Sequence, residues 1–260
     1  AVFDTAFHQS MEPHAFLYAI PYKYYESYRI RKYGFHGTSH KFVMQATAEW
    51  LKRPVEKLKL ITCHLGNGSS IAAIDGGRVV DTTMGMTPLP GLVMGTRCGD
   101  LDPAVILFLA RQGMTADAID DLLNKRSGLR GVGGLDSGDM RDIVDAAAAG
   151  NPTAQSALKM FGHRAALYIG GYYTLLGGAD AVVLTGGIGE NSQPARAAIV
   201  ERLEAIGCRL DKARNNEVRG RAGVITRDGS RLPVLIMPTN EELMIAREAF
   251  RVLAGQQPNA

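Results

Sequence analysis

The apolar residues of the chain form strand-like runs between residues 58 and 83 and follow mainly a helical period elsewhere. The runs cover 58–64, 70–75 and 78–83, and the last two are separated by the turn Asp75-Gly76-Gly77. Such glycine-containing turns join neighbouring strands into tight hairpins. The pattern therefore predicts three consecutive strands connected by hairpins.

Helical patterns lie on both sides of these strands. Segment 38–52 predicts a helix with Thr38 or Ser39 as its N-cap and with an apolar face of Phe42, Val43, Ala46 and Trp50. A loop rich in glycine and proline follows the strands over 84–102. Beyond it we expect helices at 103–112, 115–125, 139–149, 152–177, 193–206 and 240–253, and strands within 180–187 and 232–238.

Three hairpin-linked strands followed by alternating helices and strands make an α/β protein. This order resembles that of the ribonuclease-H-like domain, the half-unit of the sugar kinase, Hsp70 and actin superfamily. The first ten residues, "AVFDTAFHQS", add a strand-like apolar stub that resembles the middle of a longer protein. The terminal "AGQQPNA" is polar and is expected to fray.

Composition and charge exclude several classes of protein. The chain has 260 residues, of which 46% are hydrophobic, so it can bury a large core. Its formal net charge of +3 comes without a lysine or arginine stripe, which argues against a nucleic-acid partner. Apolar runs such as "AVILFLA" are too short to span a membrane. Three widely spaced cysteines, Cys63, Cys98 and Cys208, favour the reducing cytoplasm and show no metal-ligand spacing.

The turn between the first two predicted strands, "HLGNGSS" (64–70), has little side-chain bulk and exposes backbone N–H and hydroxyl groups. Such groups can hold a phosphate. The common phosphate loop, however, leads into a helix and carries a lysine, and this turn does neither. It is either a plain hairpin turn or a phosphate site of another kind, and in a ribonuclease-H-like domain the same turn binds phosphate.

Polar residues at other strand ends and helix starts strengthen the second interpretation, since α/β folds bind ligands there. "VVLTGGIGENS" (182–192) places three glycines between a strand and a helix, more than an ordinary turn needs. Each remaining stretch also has a structural explanation: Asp4 as a turn cap, His36 as a structural histidine, Arg97 in a loop salt bridge with Asp100 or Asp102, and "TNEE" (239–242) as a capped helix start.

Together these stretches resemble the acetate kinase (acetokinase) family. The resemblance rests on "FDTAFHQSM", "YAIPY", "YGFHGTSHKFV", "CHLGNGSSIAAIDGGRVVDTTMGMTPLPGLVMGTRCGDLDP", "LLNKRSGL", "SGDMRDI", "LTGGIGENS" and "PTNEELMIARE", and it covers Phe3 to about Glu248. It implies an enzyme that moves the γ-phosphate of ATP to acetate, or to a close short-chain carboxylate, reversibly giving acyl phosphate and ADP with Mg²⁺. It also implies a cytoplasmic homodimer of two-domain subunits.

The resemblance further implies roles for individual residues. Asp4 matches the catalytic aspartate, and His36 and Arg97 match the pair that stabilises the transferring phosphoryl group. Glu241 matches the magnesium ligand, and Phe35 and Pro88 match walls of the pocket for the acyl methyl group. The nucleotide-binding positions are His64, Leu65, Gly66, Asn67 and Gly68 in the phosphate loop, Asp139, Met140 and Arg141 beside the adenosine, and Gly187, Ile188, Gly189, Glu190 and Asn191 in a second loop.

The chemistry leaves the role of Asp4 open. Acetate is already ionised at pH 7, so no proton has to be removed from it. Asp4 is therefore expected to orient Arg97 or a metal-bound water, and a covalent phospho-aspartate is the alternative.

The chain departs from the family mainly in what it lacks. It carries no N-terminal domain with its own glycine/serine phosphate loop and carboxylate-binding arginine, so it resembles a C-terminal portion that is inactive alone. We expect a remnant of the interdomain region over 1–52, a ribonuclease-H-like domain over 53–237, and a helix with a polar tail over 238–260. Cys98 replaces a common serine, and "RGVGGLDSG" (130–138) is unusually rich in glycine.

Two alternatives to an acetate kinase remain. One is a free-standing nucleotide-binding module without turnover. The other is a propionate or butyrate kinase, which would differ only in pocket volume. One methylene group changes discrimination by about 1–3 kcal/mol, so the sequence does not choose among these acids.

Overall fold

A computed structural model describes residues 2–255 of the chain. These residues contain one mixed sheet with the strand order β3-β2-β1-β4-β6-β5. Its strands are β1 (Lys59–Leu65), β2 (Ser69–Asp75), β3 (Arg78–Thr82), β4 (Ala181–Thr185), β5 (Gly223–Val224) and β6 (Val234–Ile236). Strands β1, β4 and β6 are parallel, whereas β2, β3 and β5 pair antiparallel with their neighbours.

Helices precede, connect and follow the strands. They are α1 (Pro13–Phe16), α2 (Lys23–Tyr28), α3 (Gly37–Leu51), α4 (Pro103–Arg111), α5 (Ala116–Lys125), α6 (Gly128–Gly133), α7 (Met140–Ala148), α8 (Pro152–Leu175), α9 (Gly186–Asn191), α10 (Gln193–Val200), α11 (Lys212–Glu217) and α12 (Glu241–Leu253). Short 3₁₀ helices lie at Ala6–Ser10, Val55–Lys57 and Glu201–Ile206.

The sheet separates two apolar cores, because successive side chains of a strand point to opposite faces. Ile61, Cys63 and Leu65 of β1 pack on the face covered by α8 and α10, while Leu60 packs on the face covered by α3. Burying a side chain of this size contributes about 1.5–3 kcal/mol, so each face holds its helices firmly. The carboxyl ends of the parallel strands meet at one edge, where the polar residues of the sequence motifs lie.

The predicted elements from α3 onward occur in the predicted order, with ends that move by a few residues, but α6, α9, α11 and β5 were not predicted. The predicted helix at 193–206 is instead α10 followed by the 3₁₀ helix Glu201–Ile206. The strand predicted at the N-terminal stub is wrong: Ala6–Ser10 forms a 3₁₀ turn that packs beside β3. The three-part division of the chain stays a prediction, and Ala1 and the tail from residue 256 lie outside the described residues.

The buried face of α3 also differs from the prediction. Trp50 is 48% exposed, and the fully enclosed side chains include Ser39, His40, Val43 and Thr47. The helix is therefore rotated toward a partly polar face, which an argument from apolar spacing cannot select. Among residues 2–255, no helix is both long and apolar enough to cross a membrane.

Candidate active site

The turn between β1 and β2 is closed by its own polar atoms. The Gly66 N–H donates to the Gly68 carbonyl at 3.1 Å and to Ser69 Oγ at 3.2 Å, and Ser69 Oγ donates to the Gly66 carbonyl at 3.0 Å. The Asn67 carbonyl accepts from the Gly95 N–H at 3.0 Å, so the turn is tied to the loop 84–102. The turn therefore combines a fixed backbone with little side-chain bulk, which are features of loops that hold anions.

Two histidines stack beside this turn. The rings of His36 and His64 lie 4.2 Å apart between centroids and 23° from parallel. The Nδ1 atom of His36 lies 2.9 Å from Ser70 Oγ, and that of His64 lies 2.8 Å from Ser39 Oγ. Serine hydroxyls therefore hold both rings at Nδ1 and leave both Nε2 atoms on the side of the turn.

Both histidines are neutral at pH 7. Burial, followed by the charges of Arg97 and His8, lowers the pKa of His36 to about 4. Burial lowers the pKa of His64 to about 3, with a further contribution from His36. A neutral imidazole can donate one hydrogen bond and accept another, and its tautomer decides which nitrogen donates.

The guanidinium of Arg97 converges with His36 on the turn. A methyl group placed on Gly68 would lie 3.2 Å from Arg97 Nη1 and 3.4 Å from His36 Nε2. Arg97 Nη1 donates to the Pro88 carbonyl at 3.2 Å and lies 3.7 Å from the sulfur of Met94. Among residues 2–255 it makes no ion pair with a carboxylate.

The salt-bridge explanation for Arg97 is therefore wrong. Asp100 accepts instead from Arg164 Nη1 at 3.1 Å and from the hydroxyl of Tyr168. Asp102 caps helix α4 through the Ala104 N–H at 2.9 Å. Because both carboxylates are engaged elsewhere, the charge of Arg97 is available to an anion at the turn.

Asp4 caps helix α3 from a distant part of the chain. Its Oδ2 accepts from the His36 N–H at 2.6 Å, its Oδ1 from the Thr38 N–H at 3.4 Å, and its carbonyl from the Gly37 N–H at 2.9 Å. The predicted caps Thr38 and Ser39 are wrong, because both lie inside the first helical turn. Asp4 and Arg97 share no hydrogen bond in the described structure, so Asp4 orients the backbone of His36 instead.

The second glycine loop forms α9 and lies beside the end of β1. Gly186 has a φ of +76°, and a Cβ there would lie 2.7 Å from the Leu65 carbonyl oxygen. The Glu190 carboxylate accepts from the Gly186 N–H at 3.0 Å, from Thr185 Oγ1 at 3.2 Å and from the Thr239 N–H at 3.1 Å. Glu190 thus ties the loop to the strand ends rather than presenting a free carboxylate.

The remaining residues of that loop have mixed surroundings. Asn191 Nδ2 donates to the Gly187 carbonyl at 3.1 Å, and Gly187 has open space around it. Gly189 is buried, and the side chain of Ile188 packs against the larger core. The open position of Gly187 is the part of α9 that a ligand can approach.

Glu241 is the first residue of α12 and is half-buried. Burial, and after it the negative charge of Asp4, raises its pKa. The two carboxylates therefore face a common space at the carboxyl edge of the sheet. No group of three His, Cys, Asp or Glu side chains suited to a metal occurs in the described part of the chain, so a metal there would need other oxygen ligands.

The segment 139–141 begins helix α7 next to the glycine turn. Asp139 caps the helix through the Arg141 N–H at 2.8 Å and pairs with the Arg141 guanidinium at 2.6 Å. Arg141 is exposed, whereas Met140 is only 3% exposed and its side chain lies in the core. A Cβ on Gly138 would lie 2.4 Å from the Gly95 carbonyl oxygen, and Gly95 contacts Asn67, so this segment adjoins the turn.

The two residues predicted for the acyl pocket lie near the same centre. Phe35 directly precedes His36 and is half-buried, and the half-buried Pro88 offers its carbonyl to Arg97.

Sequence reasoning did not predict that a set of polar residues gathers behind His36 and His64. They are His8, Ser39, His40, Thr62, Ser70 and Thr239, of which Ser39, Ser70 and Thr239 were assigned only to a helix cap or to motifs. Thr62 and His64 alternate with apolar residues on β1, and Ser39 and His40 interrupt the apolar pattern of α3. Polar residues on a face that the fold must bury are the signal that would have found them.

Two glycine loops, a capped helix and converging charged groups all lie at the carboxyl edge of one mixed sheet. This fold is the ribonuclease-H-like domain of the acetate and sugar kinase, Hsp70 and actin superfamily. The chain belongs to the acetokinase family, whose family model matches residues 1–247.

The similar proteins are named as kinases of two different acids, acetate and propionate. The chain is 53% identical over 257 residues to the acetate kinase of Thermoanaerobacter pseudethanolicus, covering 98% of this chain and 64% of that protein. The acetate kinase structure from Porphyromonas gingivalis is 44% identical with a TM-score of 0.93, over 97% of this chain and 63% of that one. A propionate kinase structure from Francisella tularensis is 42% identical with a TM-score of 0.89, over 95% and 62%. The chain thus spans slightly less than two thirds of the length of these relatives.

Proposed function

We propose that this chain carries the nucleotide-binding and phosphoryl-transferring part of an acetate kinase, which moves the γ-phosphate of ATP reversibly to acetate to give acetyl phosphate and ADP. The observation that supports this most directly is the convergence of Arg97 Nη1 and His36 Nε2 over Gly68. One cation and one imidazole facing a bare glycine turn suit a phosphoryl group in transfer.

Phosphoryl transfer depends on positioning and charge stabilisation more than on covalent catalysis. Acetate and the γ-phosphate are both anions, so their approach is opposed by repulsion. The Arg97 guanidinium offsets this repulsion, and a His36 Nε2–H donates to an equatorial phosphoryl oxygen. Asn67 and the backbone N–H of Gly68 hold the preceding phosphates, because the Gly66 N–H is used inside the turn.

The residues present fit a magnesium ion that is shared with the nucleotide. Mg²⁺ prefers oxygen ligands and keeps several waters, using one or two carboxylates together with substrate phosphates. Glu241 and the nearby Asp4 are such a pair: burial first, and then the negative charge of Asp4, raises the pKa of Glu241, and a bound cation would favour its ionised form. When bound, the ion neutralises charge on the β- and γ-phosphate oxygens.

Asp4 acts through position and charge in this proposal. Its hydrogen bond to the His36 N–H keeps the imidazole at the turn, and its negative charge adds to that of Glu241. The Asp4 carboxylate uses both oxygens for the helix cap, which argues against a covalent phospho-aspartate.

The family resemblance extends the proposal to a cytoplasmic homodimer. The free thiols of Cys63, Cys98 and Cys208 agree with a reducing compartment. Acetate is proposed over propionate because the named relatives are mainly acetate kinases. The ratio of kcat/KM values for acetate, propionate and butyrate in the full-length protein tests this choice.

Nucleotide binding to the 260-residue chain tests the proposal at its base. Both glycine loops and the segment 139–141 lie within it, so calorimetry should detect Mg·ADP, although more weakly than in the full-length protein. A folded sample with no heat and no thermal shift up to millimolar Mg·ADP would contradict the assignment of the loops.

A further inference from the structure

The hydroxyl of Ser70 joins two histidines behind the glycine turn. Ser70 Oγ lies 2.9 Å from His36 Nδ1 and 2.8 Å from His40 Nε2. On the far side of the second ring, His40 Nδ1 lies 2.8 Å from Thr62 Oγ1. Ser70, His40 and Thr62 are fully buried, so water does not compete for these bonds.

The single proton of each hydroxyl gives this chain of hydrogen bonds a direction. In one arrangement Thr62 donates to His40 Nδ1, His40 Nε2–H donates to Ser70, and Ser70 donates to His36 Nδ1. His36 must then carry its own proton on Nε2, which faces Gly68 and Arg97. In this arrangement the protons of Thr62, His40 and Ser70 each have an acceptor, and the His36 Nε2–H points to the turn, where a phosphate oxygen would accept it.

The opposite direction costs more. It would place a proton on Nδ1 of both histidines and leave the Thr62 hydroxyl proton without an acceptor, since residues 2–255 supply no second partner for Thr62 Oγ1. A buried unsatisfied donor costs about 1–3 kcal/mol. It would also turn a lone pair of His36 Nε2 toward the oxygens of a phosphate, where two acceptors repel each other.

We propose that Ser70, backed by His40 and Thr62, is a positioning residue that fixes His36 as the Nε2–H tautomer. A neutral imidazole then presents a donor to the transferring phosphoryl group without first taking a proton from water. The inference about the tautomer stands on the hydrogen bonds alone, whereas its effect on phosphoryl transfer rests on the proposed function.

Nitrogen-15 NMR of the histidine-labelled 260-residue chain reads the tautomer directly, because protonated and unprotonated ring nitrogens have separate shifts. The His36→Gln variant identifies the His36 signals. We expect Nε2 protonated and Nδ1 unprotonated in the wild type, and a mixture of tautomers in Ser70→Ala and in His40→Phe. A His36 that is protonated on Nδ1 in the wild type, or an unchanged tautomer in both folded variants, would overturn the proposal.

Kinetics of the full-length protein test the consequence. Ser70→Ala should lower kcat about tenfold and leave the KM for ATP nearly unchanged, as expected for loss of one hydrogen bond that acts in the transition state. The matched control is Thr47→Val on α3, which removes a buried hydroxyl without a hydrogen-bond partner in the described part of the chain, and it should keep the wild-type kcat.

The NMR and kinetic measurements together show whether the positioning role of Ser70 or the proposed function fails. If Ser70→Ala frees the tautomer but leaves kcat unchanged in an active kinase, the positioning role is overturned. If the full-length wild type makes no acyl phosphate, the proposed function fails while NMR still decides the tautomer. Thermal melting identifies variants that do not fold, and the wild-type spectrum decides if neither variant folds.

Discussion

Asp4 Oδ2 accepts the backbone N–H of His36 at 2.6 Å, although 32 positions separate the two residues in the chain. The first N–H groups of a helix have no partner inside the helix, and a side-chain oxygen normally supplies one from the adjacent residue. Here the oxygen comes from a distant segment. The same bond holds His36 in a left-handed backbone conformation, with a φ of 57°.

Substitution of Asp4 should separate its cap from its charge. Asp4→Ala should lose about 1–2 kcal/mol of stability, because the helix loses its cap, whereas Asp4→Asn keeps an acceptor oxygen and should melt nearly like the wild type. Both should lower turnover by about 10² or more, since both remove the negative charge beside Glu241. Thermal melting and an acyl-hydroxamate assay measure the two effects. An Asp4→Asn variant with full turnover would show that Asp4 is only a helix cap.

Arg97→Ala in the full-length protein should lower turnover by about 10²–10⁴, as expected for loss of a transition-state cation. Nucleotide affinity should change little, because Arg97 lies over Gly68, where we propose that the transferring group binds, and the adenosine is proposed to bind beside the segment 139–141. Arg97→Lys should restore little activity, since lysine lacks the planar guanidinium whose N–H groups can donate two hydrogen bonds to one phosphoryl group. Loss of Mg·ADP binding with turnover intact would mean that the role is misassigned.

Gly186→Ala should destabilise the second loop. The residue has a φ of +76°, where side chains are disfavoured, and its Cβ would press on the Leu65 carbonyl at 2.7 Å. The matched control is Gly187→Ala in the same turn of α9, where a Cβ meets nothing within 4 Å. We expect a lower melting temperature for the first variant and a nearly unchanged one for the second. Equal melting temperatures would contradict the close approach of α9 to β1.

Sequence patterns were sufficient for the order of the long helices and strands from α3 onward, whereas the roles of the predicted site residues stay predictions. The hairpin turns and glycine loops are local features, so their positions followed from nearby residues alone. The cap of α3 did not, because Asp4 approaches it only through the folded chain. The rotation of α3 was missed for a similar reason. Ser39 and His40 face the sheet because they form hydrogen bonds with residues of β1 and β2, and the spacing of apolar residues does not reveal such bonds.

Acid should destabilise the protein through its buried histidines. Burial lowers the pKa of His8 from 6.5 to about 3, and residues 2–255 supply no hydrogen-bond partner for either ring nitrogen of His8. Below pH 6.5 His8 binds a proton in the unfolded chain but not in the folded chain, so stability is lost as the pH falls from 6.5 toward 3. At pH 5 this single group costs about 2 kcal/mol.

His8→Leu should therefore reduce the acid sensitivity without lowering stability at pH 7, since an apolar replacement leaves no unsatisfied nitrogen. The matched control is His163→Leu on the exposed face of α8, which should keep the wild-type dependence on pH. Urea unfolding at pH 5 and pH 7 measures the difference. Equal losses in all three proteins would show that His8 does not contribute to the acid limb.

The 260-residue chain alone should make no acetyl phosphate. Catalysis needs acetate and the γ-phosphate to be held at near-attack distance, and a small misplacement of either lowers the rate strongly. Acetate has too few atoms to bind tightly to Phe35 and Pro88 alone. A hydroxamate assay with ATP, magnesium and high acetate should therefore stay at background. Robust turnover by the purified chain, with its mass confirmed, would contradict this account of which groups catalysis requires.

Strand β1 constrains how the protein can change in length during evolution. Thr62 and His64 face the α3 side, while Cys63 and Leu65 lie in the core beneath α8. A one-residue insertion ahead of Thr62 would exchange the two faces of the strand. It would place the imidazole of His64 in the apolar core and the side chain of Leu65 on the side of α3. Insertions and deletions should therefore be tolerated at turns such as Asp75–Gly77 but eliminated by selection within β1, even where the inserted residue is itself a good strand former.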